Sequence, residues 1–173
     1  MPEKLFTSQD VTRIFGVSRF KLAYWIDRVG AIEPTQRLPQ TNLFSLRDLL
    51  DIGVVSALSE LGINIPTIRK ILTEPVTPDE RFNMFYMGQQ KEFKNIWDEV
   101  AERRATHERD GCVLLLQKAE DGYSFRLGTL RSEMSNINTF HLEGIYRPFG
   151  NLLLVDVLEI VHRVESATGE KLQ

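Results

Sequence analysis

The 173-residue chain has a single cysteine, Cys112, and only three histidines. One cysteine excludes a disulfide within the chain and any cysteine-based metal cluster. His107 lies five residues before Cys112, and one pair of that kind makes a poor metal site. His141 and His162 stand singly among apolar neighbours and read as structural. No apolar run approaches the roughly 20 residues that cross a bilayer as a helix. The longest, Leu152-Leu153-Leu154-Val155, is stopped by Asp156. A strong charge of either sign is also missing. The net charge of -3 argues against a coating or packaging protein for nucleic acid. There is no glycine-rich phosphate loop, no nucleophile elbow and no His-Glu-x-x-His motif. Carboxylates are numerous, but none are paired for general acid and base work. The expectation is a non-enzyme with no cofactor, no metal and no membrane segment. Met1-Pro2-Glu3-Lys4 leads straight into a capped helix, so no signal peptide is expected and a cytoplasmic location is.

What the chain does have is punctuation. Thr7-Ser8-Gln9-Asp10 is a capping box, in which the hydroxyl and the carboxylate each satisfy an amide that the first helical turn leaves open. Val11, Ile14 and Phe15 follow as one apolar stripe. Gly16 ends that helix, because glycine takes the left-handed conformation at no steric cost. Ser18 is the next N-cap. A second helix is predicted from Arg19 to Val29, with Leu22, Trp25, Ile26 and Val29 inward and Gly30 as its stop. A three-residue link between two short helices is the spacing of a helix-turn-helix. Thr35 to Asn42 has lost helical periodicity, holds Pro39 and is bracketed by Ala31-Ile32 and Leu43-Phe44. This reads as two short strands and a loop, a wing. Ser45-Leu46-Arg47-Asp48 is a second capping box. It opens a helix carrying Leu49, Ile52, Val55, Leu58 and Leu61, stopped at Gly62. Asn64 caps a fourth helix through Leu72, with Pro66 in its first turn and Ile65, Ile68, Ile71 and Leu72 closing the core. Charge is unevenly placed: residues 1–72 hold nine basic and seven acidic side chains, against twelve and seventeen in the remainder.

Over residues 5–72 the chain resembles the winged-helix DNA-binding domain of the MerR family. The residues that carry the resemblance are Phe6-Thr7, Gly16-Val17-Ser18, Leu22 with Tyr24-Trp25, and Gly30 with Pro34. Further along they are Phe44-Ser45 before Asp48-Leu49, and Glu60-Leu61-Gly62 before Ile68-Arg69 and Leu72. Order and spacing agree, with one extra residue before Gly30. The family's arginine ahead of the Tyr-Trp pair is Ala23 in this chain. Its Tyr-Arg-x-Tyr run in the wing is Thr41-Asn42-Leu43-Phe44. Both arginines contact phosphate in the family, and doing without either one weakens binding and flattens its salt dependence. The resemblance implies double-stranded DNA as partner, with association with the bacterial nucleoid when bound. Candidate DNA-binding residues are Thr7, Arg13, Ser18, Arg19, Lys21 and Tyr24 on the first two helices, and Arg37, Gln40 and Asn42 in the wing.

Beyond residue 72, Thr73 to Val76 reads as a linker. Thr77-Pro78-Asp79-Glu80 is a third capping box, with proline where its missing amide costs nothing. A long helix over 77–110 is expected. Phe82, Tyr86, Phe93, Trp97 and Val100 recur along it at coiled-coil-like spacing. The resemblance implies a homodimer whose seam these five residues form, set against the alternative of an ordinary core helix. Residues 111–173 are expected to be a small α+β domain. Its strands are Cys112–Gln117 and Tyr123–Leu130, joined by a Glu120-Asp121-Gly122 turn with glycine at a positive-φ position, and a third at Phe140–Tyr146. A closing helix follows over Leu153–Thr168, with strand as the alternative for Leu152–Val157. The fold class is therefore mainly α, with a small α+β C-terminal part.

The function that follows is a dimeric transcriptional regulator recognising a two-fold symmetric site. Its C-terminal part would sense a small molecule or bind a protein effector. The alternative is a winged-helix protein-interaction or assembly module, of the kind found in phage excisionases and packaging adaptors, with weak or no sequence-specific DNA binding.

Overall fold

The computed structural model describes residues 4–73, 95–106, 113–119, 122–128 and 152–172. Two compact units are formed by residues distant in sequence. One holds Met1–Lys70 together with Glu159–Gln173, and the other holds Ile71–Leu158.

In the first unit, β1 (Phe6–Thr7) leads into α1 (Ser8–Phe15). The first capping box forms as its residues dictate. The Thr7 amide donates to Asp10 Oδ2 at 2.9 Å, and the Asp10 amide donates to Thr7 Oγ1 at 3.4 Å. Gly16, at φ 69°, closes α1 with its amide on Thr12 O at 2.9 Å. The chain then turns through buried Val17 into α2 (Arg19–Ala23), capped by Ser18 Oγ accepting from the Lys21 amide at 3.2 Å.

The second helix is not α-helical throughout. From Tyr24 to Arg28 it is a π turn, with the Val29 amide on Tyr24 O at 3.2 Å. A π turn takes in one residue more than an α turn. Through this turn Leu22, Trp25 and Ile26 all remain buried.

The wing is shorter and tighter than its sequence suggests. Its strands are β2 (Gln36–Leu38) and β3 (Thr41–Phe44), paired antiparallel as Gln36↔Leu43, Arg37↔Asn42 and Leu38↔Thr41. Ala31-Ile32 lies outside the sheet, and only Pro39-Gln40 remains as loop. Proline's fixed φ suits the first corner of such a turn. β1 adds a third strand to the far edge of β3, through Phe6↔Phe44 and Thr7↔Leu43. The second capping box sets where the wing begins. Asp48 Oδ2 accepts from the Ser45 amide at 2.9 Å, and also from the Thr35 amide and hydroxyl at 2.9 and 2.7 Å. One carboxylate therefore caps α3 (Leu46–Glu60) and pins the chain just ahead of β2.

α3 is the centre of this unit. Leu49, Leu50, Ile52, Val54, Val55 and Leu58 are all buried, with Val11 and Ile14 from α1 and Trp25 and Ile26 from the second helix in the same core. Leu61 does not join them: the helix ends at Glu60, and Leu61 is 46% exposed at its C-cap. α4 (Ile65–Thr73) is capped by Asn64 Oδ1, which accepts from the Thr67 amide at 2.9 Å. Ile68 and Ile71 are buried, whereas Ile65 and Leu72 are only partly so.

In the second unit, Asn95 starts a helix, α5 (Ile96–Thr106), by accepting from the Trp97 and Asp98 amides at 3.0 Å each. The helix predicted to run unbroken from Thr77 therefore has a new N-terminus at Ile96. An asparagine with two amides on its side chain is a start signal, not a helix interior. Residues 77–94, with the third capping box, lie outside the described residues. β4 (Val113–Ala119) is the middle strand of an antiparallel sheet ordered β5-β4-β6, with β5 at Gly122–Gly128 and β6 at Leu152–Asp156. Gly122 pairs with Ala119 as the first residue of β5 instead of sitting in the turn. Leu152–Asp156 is a strand, and helix begins only at Val157, in α6 (Val157–Thr168). The Phe140–Tyr146 strand lies outside the described residues. Among the described residues, no helix is long and apolar enough to cross a membrane.

The last segment belongs to the first unit. Ile160, Val161 and Val164 are buried. A Cβ on Gly53 of α3 would run into Ile160 Cγ2 and lie 2.9 Å from Phe15 Cε1, so only glycine fits there unless its neighbours move. Lys4 Nζ donates to Thr168 O at 2.8 Å and lies 3.5 Å from the Glu170 carboxylate.

Candidate nucleic-acid interface

Two short helices, the turn between them and the hairpin place every predicted DNA-facing residue on the first unit. Thr7 and Ser18 are engaged as N-caps, so their hydroxyls serve the helix starts. Asp10 organises the start of α1. The Thr7 amide holds the Asp10 carboxyl below the usual carboxylate range. Partial burial opposes that shift, and the Thr7 hydroxyl and the Arg13 guanidinium add to it. Arg13 reaches Asp10 Oδ1 at 3.0 Å from a largely exposed position. Gln9, Asp10, Thr12, Arg13 and Arg19 line an open depression between α1 and the start of α2.

On α2, Arg19 is exposed and forms no ion pair among the described residues. Lys21 keeps its stem against the second helix, with Nζ 5.1 Å from the Trp25 ring centroid, a cation–π geometry that leaves the charge at the surface. Tyr24 is 51% exposed, so it is a surface residue instead of a core one, and Ala23 beside it is also exposed.

The wing presents a different picture. Arg37 is exposed but paired, its Nη1 3.2 Å from Asp27 Oδ1. Asp27 lies in the π turn, so this ion pair ties the wing to the second helix. Gln40 is exposed at the tip, and Asn42 is half-buried opposite Arg37. Periodicity does not point to Asp27 as a partner, because the ion pair joins two elements ten residues apart.

A second residue escapes a reading by sequence. Phe20, between Arg19 and Lys21, is 91% exposed. Two residues from buried Leu22, it is about 200° round the helix and faces away from the core. Burying a phenylalanine is worth about 1.5–3 kcal/mol, and the free domain forgoes this. A helical wheel through Leu22, Trp25 and Ile26 carries the signal that finds it.

The family model of the MerR HTH family regulatory proteins matches residues 6–74. This stretch is a MerR-type winged helix-turn-helix domain. The match takes in β1 through α4, including the wing, and ends one residue after the last residue of α4. No curated protein matches the chain.

The remaining predicted site residues fall outside this domain. Trp97 and Val100, expected on a dimer seam, are 1% and 0% exposed within the chain itself. Their burial is already complete in a single copy. Phe82, Tyr86 and Phe93 lie outside the described residues, as do His107, Cys112 and His141. His162, read from sequence as structural, is exposed on α6. Among the described residues, no three His, Cys, Asp or Glu side chains are grouped to hold a metal ion.

Proposed function

We propose that this protein is a DNA-binding transcriptional regulator. In this reading α2 enters the major groove and the wing lies along the backbone. The chain acts as a homodimer on a two-fold symmetric site, through a seam in residues 77–110. The remaining α+β part senses a small molecule or binds a protein effector. The observation that carries the reading is the exposed outer face of α2 within a MerR-type domain. N-terminal residues of the second helix are those that reach base edges in helix-turn-helix proteins, and here they are Arg19, Phe20 and Lys21. Arg19, Lys21, Tyr24 and Arg37 carry the binding, with Arg13, Gln40 and Asn42 at the edges. The test is selection of full-length protein against a random duplex pool at low salt. An enriched, two-fold symmetric site is expected, with affinity falling as salt rises. A pool that stays random removes the reading.

A second reading has its own observation. Ala23 and Asn42 stand at two phosphate-contacting positions of the family pattern, and Arg37 is held by Asp27. A surface so equipped also suits a winged helix that binds protein in an assembly. Ala23→Arg separates the two. If DNA is the partner, the variant binds the selected site about tenfold more tightly, and its salt slope steepens by about one. If a protein is the partner, one stoichiometric complex survives competitor DNA and weakens in the variant.

A further inference from the structure

Phe20 is an aromatic ring at the point of a DNA-facing helix, with a cationic residue on either side. Its exposure of 91% is the highest of the exposed large hydrophobic residues among those described. The neighbours are not there to cover it. Arg19 faces the depression with Gln9, Thr12 and Arg13, and Lys21 leans back over Trp25. The ring has no donor or acceptor, so it cannot take part in the hydrogen-bond code of base edges. The major groove offers one apolar group to such a ring, the C5-methyl of thymine. The flanking positive charges of Arg19 and Lys21 suit a polyanion.

We propose that Phe20 is a sequence-reading residue that packs on the 5-methyl group of a thymine in the major groove. This rests on the DNA-binding reading above. Phe20 supplies preference for one base, while Arg19 and Lys21 supply phosphate and polar contacts on each side. The turn Gly16-Val17-Ser18 fixes the height at which the ring meets the groove. Both the Ser18 cap and buried Val17 hold that turn in place.

The experiment uses the full chain and the duplex selected from a random pool. Each thymine of the site is replaced singly by uracil, which removes only the methyl group. Affinities are measured for the wild type, Phe20→Ala and Phe20→Leu by fluorescence anisotropy. At one thymine per half-site, uracil weakens the wild type about fourfold, the worth of one buried methylene-sized group. Phe20→Ala binds the thymine and uracil duplexes alike, and Phe20→Leu keeps a preference for thymine. All three proteins melt at the same temperature, since the side chain is outside the core. The proposal is overturned if no thymine shows the effect, or if Phe20→Ala shows it undiminished. If instead Phe20→Ala abolishes a protein complex while thymine discrimination is unchanged, the ring faces protein and the proposal is also overturned. Failure to select any site removes the DNA-binding reading itself and is recognised at the first step.

Discussion

α3 and the second helix of the MerR-type domain are neighbours made on opposite principles. α3 has buried residues on every side, including Leu50, Gly53, Val54 and Ser56, which no single apolar stripe would include. The second helix buries Leu22, Trp25 and Ile26 and leaves Arg19, Phe20, Ala23 and Tyr24 in solvent. Substitutions in α3 should register in stability, and substitutions on the outer face of the second helix only in binding.

The largest effect should come from the core. Leu58→Ala is expected to cost about 2–5 kcal/mol, read by denaturant unfolding. A cost below about 1 kcal/mol, the range of ordinary surface changes, would mean that α3 is not the centre of the core. Gly53→Ala should cost about 1–3 kcal/mol by overpacking, since its new methyl would meet Ile160 and Phe15. Adding Ile160→Ala should recover part of that cost, and a strictly additive double mutant would contradict the packing of α6 on α3.

The cap of α1 gives a smaller, pH-dependent effect. Asp10 has a folded-state pKa below its ordinary value of 3.8. Its stabilising contribution is therefore complete above that value and is lost as pH falls through the lower folded one. Against Asp10→Asn, the wild type should keep a constant advantage in Tm at neutral pH and lose it only in strong acid. An advantage that disappears around neutral pH would point to another group. The smallest stability effect belongs to Asp27→Asn, since an exposed ion pair is worth about 0–1 kcal/mol. Its Tm should hardly move, while the freed Arg37 should tighten DNA binding several-fold at low salt and much less at high salt.

Legibility in the sequence follows the same division. The caps at Thr7, Ser18, Ser45 and Asn64 and the stop at Gly16 are readable, because each is a local match between a side chain or backbone conformation and nearby amides. The helix-turn-helix comes from these directly. The wing is legible but its edges are not, since Thr35 is fixed by Asp48, thirteen residues away, and no local pattern announces that bond. The Asp27–Arg37 pair, ten residues apart, is invisible for the same reason. An unbroken helix from Thr77 overlooks Asn95, a cap hidden inside a long apolar periodicity. Phe20 carries no cap or stop signal; only its angle on the helix, away from Leu22, marks it as outward.

The contact of Gly53 with Ile160, and of Lys4 with Thr168 and Glu170, has a consequence for how the domain comes into being. The residues that the family pattern covers are made first, yet part of their packing arrives only with Glu159–Gln173, after the whole of Ile71–Leu158 has been synthesised. Closing so long a loop carries an entropic cost that grows only slowly with length, but non-local contacts of this kind slow folding. During synthesis the nascent helix-turn-helix therefore waits with the Gly53 side of α3 uncovered. Cut off at residue 74, it would remain in that state, so its stability and solubility in isolation should fall short of those of the full chain.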